Sequence, residues 1–96
     1  MVPPGCEQPF HLFYLLLPSL AARQALIAHL RGRGILAAFH YVPLHLSAYG
    51  RQAAARWRDC PVAADVADRL VRLPLFYDLA AADQSGVIAA VQAFQP

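Results

Sequence analysis

Two short stretches of this sequence, from about His11 to Leu17 and from Ile35 to Val42, are apolar at odd and even positions alike. Successive side chains of a strand point to opposite faces, so in the first stretch Phe13, Leu15 and Leu17 oppose Leu12, Tyr14 and Leu16. In the second, Ile35, Ala37, Phe39 and Tyr41 oppose Leu36, Ala38, His40 and Val42. Strands apolar on both faces expect cover on both sides of their sheet. The residues between them suit one helix. Pro18 ends the first strand, Ser19 offers a hydroxyl to an orphan backbone N–H, and Leu26, Ile27 and Leu30 form a stripe over 20–31. Gly32 and Gly34 supply the stop.

The remainder extends this β-α-β unit. A loop from Pro43 to Cys60 has room for one short helix around Gln52 to Arg58. Val62, Val66, Leu70 and Leu73 then recur at about every fourth residue, which predicts a helix. Its charges agree: Asp65 and Asp68 lie toward the favourable N-terminal end, and Arg69 and Arg72 follow each acid by four residues. Leu73-Pro74-Leu75-Phe76-Tyr77 reads as a short third strand whose proline marks an end or an edge. Val87, Ile88, Val91 and Phe94 give a final helix its stripe. The order β-α-β-α-β-α predicts a small α/β sandwich of three short strands, with helices mainly on one face and the third strand beside or between the other two. Residues 1–9, with Pro3, Pro4, Gly5 and Pro9, read as a tether, and residues 10–96 as one domain.

A 96-residue chain builds one modest core, burying roughly 60 to 65 per cent of the surface that its unfolded form exposes. Yet 58% of its residues are hydrophobic and 15% charged. That balance predicts apolar surface left over for another molecule or for self-association. No apolar run approaches the roughly 18 residues of a membrane span, since Pro18 interrupts the longest leucine-rich stretch. The start Met1-Val2-Pro3-Pro4-Gly5 lacks a basic-then-apolar signal pattern, so a cytoplasmic protein is expected. Cys6 and Cys60 stand far apart and without metal or redox spacing, which predicts free thiols. A net charge of +2 gives no argument for nucleic acid.

The candidate site is Phe39-His40-Tyr41-Val42-Pro43-Leu44-His45, where a strand runs into a proline-stopped loop bearing two imidazoles and a phenol. Such groups gathered at a strand end suit binding, and they equally suit edge residues whose polar atoms are satisfied locally. His40 and His45 are five apart across a proline with no carboxylate close in sequence, which argues against a metal site or an acid/base pair. Arg51, Arg56 and Arg58 surround Trp57; guanidinium forks suit phosphate or carboxylate and the indole suits a base, but a solvated amphipathic turn has the same composition. An alternative reading therefore makes the chain a standalone dimerising module that receives a nucleotide or a protein partner on Arg51, Trp57 and Arg58. Asp59, Asp65, Asp68, Asp78 and Asp83 sit at helix ends or loops, where capping is their expected duty. Tyr14, Phe76 and Tyr77 are expected in the core or an interface. All eight basic residues are arginines; there is no lysine.

Taken in order, His11-Leu12-Phe13-Tyr14, Phe39-His40-Tyr41-Val42-Pro43-Leu44-His45-Leu46-Ser47, Gly50 and Leu70-Val71-Arg72-Leu73-Pro74-Leu75-Phe76-Tyr77 resemble the DegT-type sugar aminotransferases. The likeness runs from about residue 7 to the end and is strongest to the transaminases that make TDP-4-amino-4,6-dideoxygalactose from TDP-4-oxo-6-deoxyglucose. It implies a fold-type I, pyridoxal-phosphate-dependent enzyme, normally dimeric, whose large N-terminal domain carries the cofactor as an imine on a lysine. The present chain resembles only the small C-terminal domain that closes the cleft, a fragment without the large domain. The resemblance further implies amino transfer from glutamate to the 4-keto group of a TDP-4-keto-6-deoxyhexose, in the supply of sugars for lipopolysaccharide or other surface polysaccharides. His40, Tyr41 and His45 are then the expected contacts to sugar hydroxyls or phosphate, with Pro43 holding the loop. No catalytic, cofactor-binding or metal-binding residue is expected on this chain, because an aldimine needs a primary amine and no side chain here has one. Three positions depart from the pattern: Pro9 replaces an asparagine, and Ala63 and Ala80 replace Ser or Thr at helix starts.

Overall fold

A computed structural model describes residues 2–53 and 58–95. Its elements are β1 (Phe13–Leu16), α1 (Leu20–Arg31), β2 (Ala38–Phe39), a 3₁₀ turn (Leu44–Leu46), α2 (Ala48–Ala53), α3 (Pro61–Arg69), β3 (Leu70–Leu73) and α4 (Ala81–Gln92). Three strands form one sheet in the order β1-β3-β2, each outer strand antiparallel to β3. The third strand in sequence therefore lies between the first two, the arrangement of a small α/β domain with a split β-α-β unit.

Register decides which face each side chain serves, because residues directly paired in an antiparallel ladder share a face. Leu15 pairs with Val71 and Phe39 also pairs with Val71, so these three face one way. Val71 is fully buried and packs with Leu26 and Leu30 of α1, Ala37 and Ala90 of α4, which together are the core. Tyr14 and Ala38 both pair with Arg72, and Leu16 pairs with Leu70. This second face is less covered: Tyr14 and Leu16 each remain about half exposed, at 47% and 48%.

Local chemistry accounts for α1 in full. Ser19 has extended dihedrals and its Oγ accepts the Ala22 N–H at 3.1 Å, while the Gly32 N–H closes the last turn on Ala28 and Gly34 turns the chain at φ 74°. Arg23 is buried within this helix. Its Nη1 donates to the Ala67 carbonyl of α3 at 2.7 Å and its guanidinium stacks over the Phe39 ring at 5.3 Å. A cation on the last turn of α3 meets the negative end of that helix dipole, so Arg23 ties three elements together.

Several expectations need correction. The helix from Val62 through Leu73 ends at Arg69, and Leu70–Leu73 is the central strand β3; the expected strand at 73–77 is instead the exit from it, with Pro74 just past its end. A four-residue apolar spacing cannot distinguish a continued helix from a helix followed by a strand, and Val62, taken as a stripe residue, is 76% exposed. Since Arg72 lies in the strand, the helical Asp68–Arg72 pairing cannot form, whereas Asp65 and Arg69 do pair, Arg69 Nη2 lying 2.6 Å from Asp65 Oδ2. The second strand shrinks from Ile35–Val42 to Ala38–Phe39, the two residues that pair with Arg72 and Val71 of β3. The helix expected near Gln52 to Arg58 begins earlier, at Ala48, and the remainder of that expectation falls outside the described residues.

Residues 2–10 carry a turn at Pro4-Gly5, with Cys6 N–H donating to the Pro3 carbonyl, and all are exposed. Among the described residues no helix is long and apolar enough to cross a membrane.

Candidate functional site

The loop after β2 is built by short-range bonds. Pro43 holds φ at −54°, and its carbonyl accepts the N–H groups of Leu46 at 2.8 Å and Ser47 at 3.1 Å, winding the 3₁₀ turn. The Ser47 hydroxyl then donates to the Leu44 carbonyl at 2.8 Å and accepts the Gly50 N–H at 2.9 Å, which starts α2. Gly50 is buried against this turn so closely that a Cβ there would overlap the Leu44 carbonyl. The residues Pro43, Ser47 and Gly50 thus set the path of the segment bearing the two histidines.

His40 and Tyr41 come together: their rings meet edge to face with centroids 5.1 Å apart. Arg72 joins them from the central strand, its guanidinium 5.4 Å over the Tyr41 ring and its Nη2 donating weakly to the Phe39 carbonyl at 3.4 Å. Arg72 Nε and His40 Nδ1 are buried, with no hydrogen-bond partner among the described residues. Buried polar atoms ordinarily have partners, so two such atoms beside one exposed phenol make a site able to receive an oxygen of a ligand or a water. Arg72 was not among the residues expected here. Its signal was an arginine inside the apolar run Leu70-Val71-Arg72-Leu73, and the helical reading of that run concealed it.

His45 is placed differently. Its largely buried ring carries Nε2 3.8 Å from Asp59 Oδ1, so a carboxylate does stand near one imidazole, contrary to the expectation from local sequence. Asp59 precedes α3 and is fourteen positions away in the chain, which is why proximity in sequence missed it. At 3.8 Å the pair is a Coulombic contact rather than a direct hydrogen bond. Of the three other candidates, Arg51 is exposed in the last turn of α2 and Arg58 is exposed, its carbonyl 3.8 Å from the Cys60 thiol; Trp57 lies outside the described residues, as does Arg56. Both cysteines are exposed and free. Among the described residues no group of three or more His, Cys, Asp or Glu side chains gathers as a metal site would need.

The acids divide by position. Asp83 lies in the first turn of α4, where the dipole favours it, and Asp65 pairs with Arg69 as above. Ala80 is the N-cap of α4 and makes no side-chain cap bond, whereas Ala63 lies inside α3, whose N-cap is Cys60. Tyr77 is fully exposed and Phe76 59% exposed, so neither belongs to the core; Tyr14 lies half exposed on the less covered sheet face.

The sequence model of the DegT/DnrJ/EryC1/StrS aminotransferase family matches residues 2–92. The chain belongs to this family. Its members are generally pyridoxal-phosphate-dependent, the aldehyde of the cofactor being held on a lysine amine. The groups available here are guanidinium, imidazole, phenol and thiol, and no side chain is a primary amine. This chain's side chains therefore do not fit covalent tenure of that cofactor.

Proposed function

We propose that this chain is the small C-terminal domain of a nucleotide-sugar aminotransferase of the DegT type, shaping part of a pocket for a TDP-4-keto-6-deoxyhexose. The chemistry of amino transfer, from glutamate, then belongs to a lysine-bearing large domain supplied with it or by another polypeptide. The observation that carries this reading is a lysine-free sequence within an aminotransferase family, together with a cationic and aromatic cluster at the end of β2. Arg72 presents charge for phosphate, Tyr41 a face and a hydroxyl, and His40 a ring nitrogen for a sugar hydroxyl. His45, on the adjoining turn, completes the set expected from the family motif. The half-exposed Tyr14 and Leu16 of the less covered sheet face offer apolar surface to the large domain.

The test is spectroscopic. Adding TDP to the isotopically labelled chain should shift the His40 and Tyr41 resonances saturably, and Tyr41→Ala should remove the response. Shifts confined to residues remote from β2 and Arg72 would reject this site. A cytoplasmic location follows from this role, since nucleotide sugars are made there in the pathways the family resemblance implies; fractionation of the producing cell checks it.

A further inference from the structure

Strand register places one more aromatic residue beside the cationic cluster at the end of β2. Arg72 of β3 pairs with Tyr14 on one side and with Ala38 on the other, on the less covered face of the sheet. Directly paired residues share a face with Cβ atoms about 4.5 to 5.5 Å apart, so Tyr14 flanks the Arg72 stem from β1 while Ala38 contributes only a methyl group from β2. His40 follows two residues after Ala38, and its ring meets that of Tyr41. Adjacent strands lie about 4.8 Å apart, which puts Tyr14 roughly 10 Å from the β2 end of this row. Across the sheet the groups therefore run from a phenol, through a guanidinium, to an imidazole and a second phenol.

The two phenols differ in what already touches them. Tyr41 carries the Arg72 guanidinium 5.4 Å over its ring and has the His40 ring at 5.1 Å, so a cation and a second ring occupy its surroundings. Among the described residues no cation or ring packs on Tyr14, whose side chain is half exposed. A free aromatic face beside a guanidinium suits a planar ring that carries phosphate: any base offers a π-face for stacking, and the guanidinium pairs with phosphate oxygens. The buried Arg72 Nε and His40 Nδ1, unpartnered among the described residues, stand next along the same row.

We propose that Tyr14 is a further binding residue of this site, its ring stacking on the pyrimidine base of the nucleotide while Arg72 takes the diphosphate and His40 and Tyr41 take the sugar. The inference rests on the nucleotide-sugar reading above and adds a direction to it. In a nucleotide sugar the base and the hexose stand at opposite ends of a diphosphate, and the row from β1 to β2 presents stacking, cationic and hydrogen-bonding groups in that order. The base then lies between Tyr14 and an approaching large domain, which still meets Leu16 on this face.

Titration of the isotopically labelled full chain with TDP and, separately, with inorganic pyrophosphate tests the assignment. TDP should move the Tyr14 ring resonances saturably, together with those of His40 and Tyr41, whereas pyrophosphate should act on Arg72 and leave the Tyr14 ring unmoved. Tyr14→Leu should weaken TDP binding about tenfold or more without changing the affinity for pyrophosphate, and Tyr14→Phe, which keeps the ring, should bind TDP as the unaltered chain does. Tyr14 is half exposed, so both variants should fold, and thermal melting verifies it. TDP that shifts His40 and Tyr41 but not Tyr14, or that binds Tyr14→Leu undiminished, overturns the assignment and spares the site. Equal weakening of TDP and pyrophosphate by Tyr14→Leu overturns it too, because the residue then serves the fold. A chain in which TDP moves no resonance near β2 or Arg72 removes the site itself and the assignment with it.

Discussion

At the scale of single residues, the chain shows two arginines with opposite duties. Arg23 is buried, bonded to Ala67 and stacked on Phe39, and serves the fold. Arg23→Ala should lower unfolding stability by about 2 kcal/mol or more, because it strands the Ala67 carbonyl and opens a void. Arg23→Met, similar in volume and without the charge, should cost less; urea titration of both variants checks the order. Arg72 belongs to the proposed site, its guanidinium lying over the Tyr41 ring. Arg72→Met keeps the apolar stem that packs in β3 while removing the cation over Tyr41, so it should abolish the TDP-induced shift at Tyr41 with little loss of stability. A variant that binds TDP undiminished would remove Arg72 from the site. Gly50 is a third decisive residue: Gly50→Ala forces a methyl into the Leu44 carbonyl and should destabilise by about 1 to 3 kcal/mol, measured by thermal melting.

At the scale of elements, capping gives a clean contrast. Ser19→Ala should cost about 1 kcal/mol through loss of the bond to the Ala22 N–H, and Ala80→Ser should gain a similar amount at the uncapped start of α4. Denaturant midpoints of the two variants should move in opposite directions. The same contrast explains what could be read in advance. Helix α1 was legible because Ser19, the Leu26-Ile27-Leu30 stripe and Gly32 are all local signals. Strand β3 was not, because Leu70 and Leu73 continue the four-residue spacing of Val62 and Val66, and only tertiary cover on Val71 decides for strand. The sheet order was open between two placements, and pairing of Val71 with both Leu15 and Phe39 selects the central one. His40 and Tyr41 were visible as a motif at a strand end. Arg72 and Asp59 join the site region through register and chain reversal, and such long-range contacts leave no local pattern.

At the scale of the whole molecule, a small core of five buried apolar residues among those described sits beneath much larger exposed apolar area, as the high hydrophobic fraction foretold. Leu36, Tyr41, Leu44, Tyr49 and Phe76 are all more exposed than buried. Surface of this kind is rarely left bare on a monomer, which agrees with the proposal that this domain packs against a larger one. The family supplies the reaction and this chain's composition withholds the nucleophile for it. The most direct test is to incubate the purified chain with pyridoxal phosphate, glutamate and TDP-4-keto-6-deoxyglucose and assay for amino sugar. The account predicts no imine absorbance above that of free cofactor and no product, with product appearing once a lysine-bearing large domain of the same family is added. Amino sugar formed by the chain alone would contradict it.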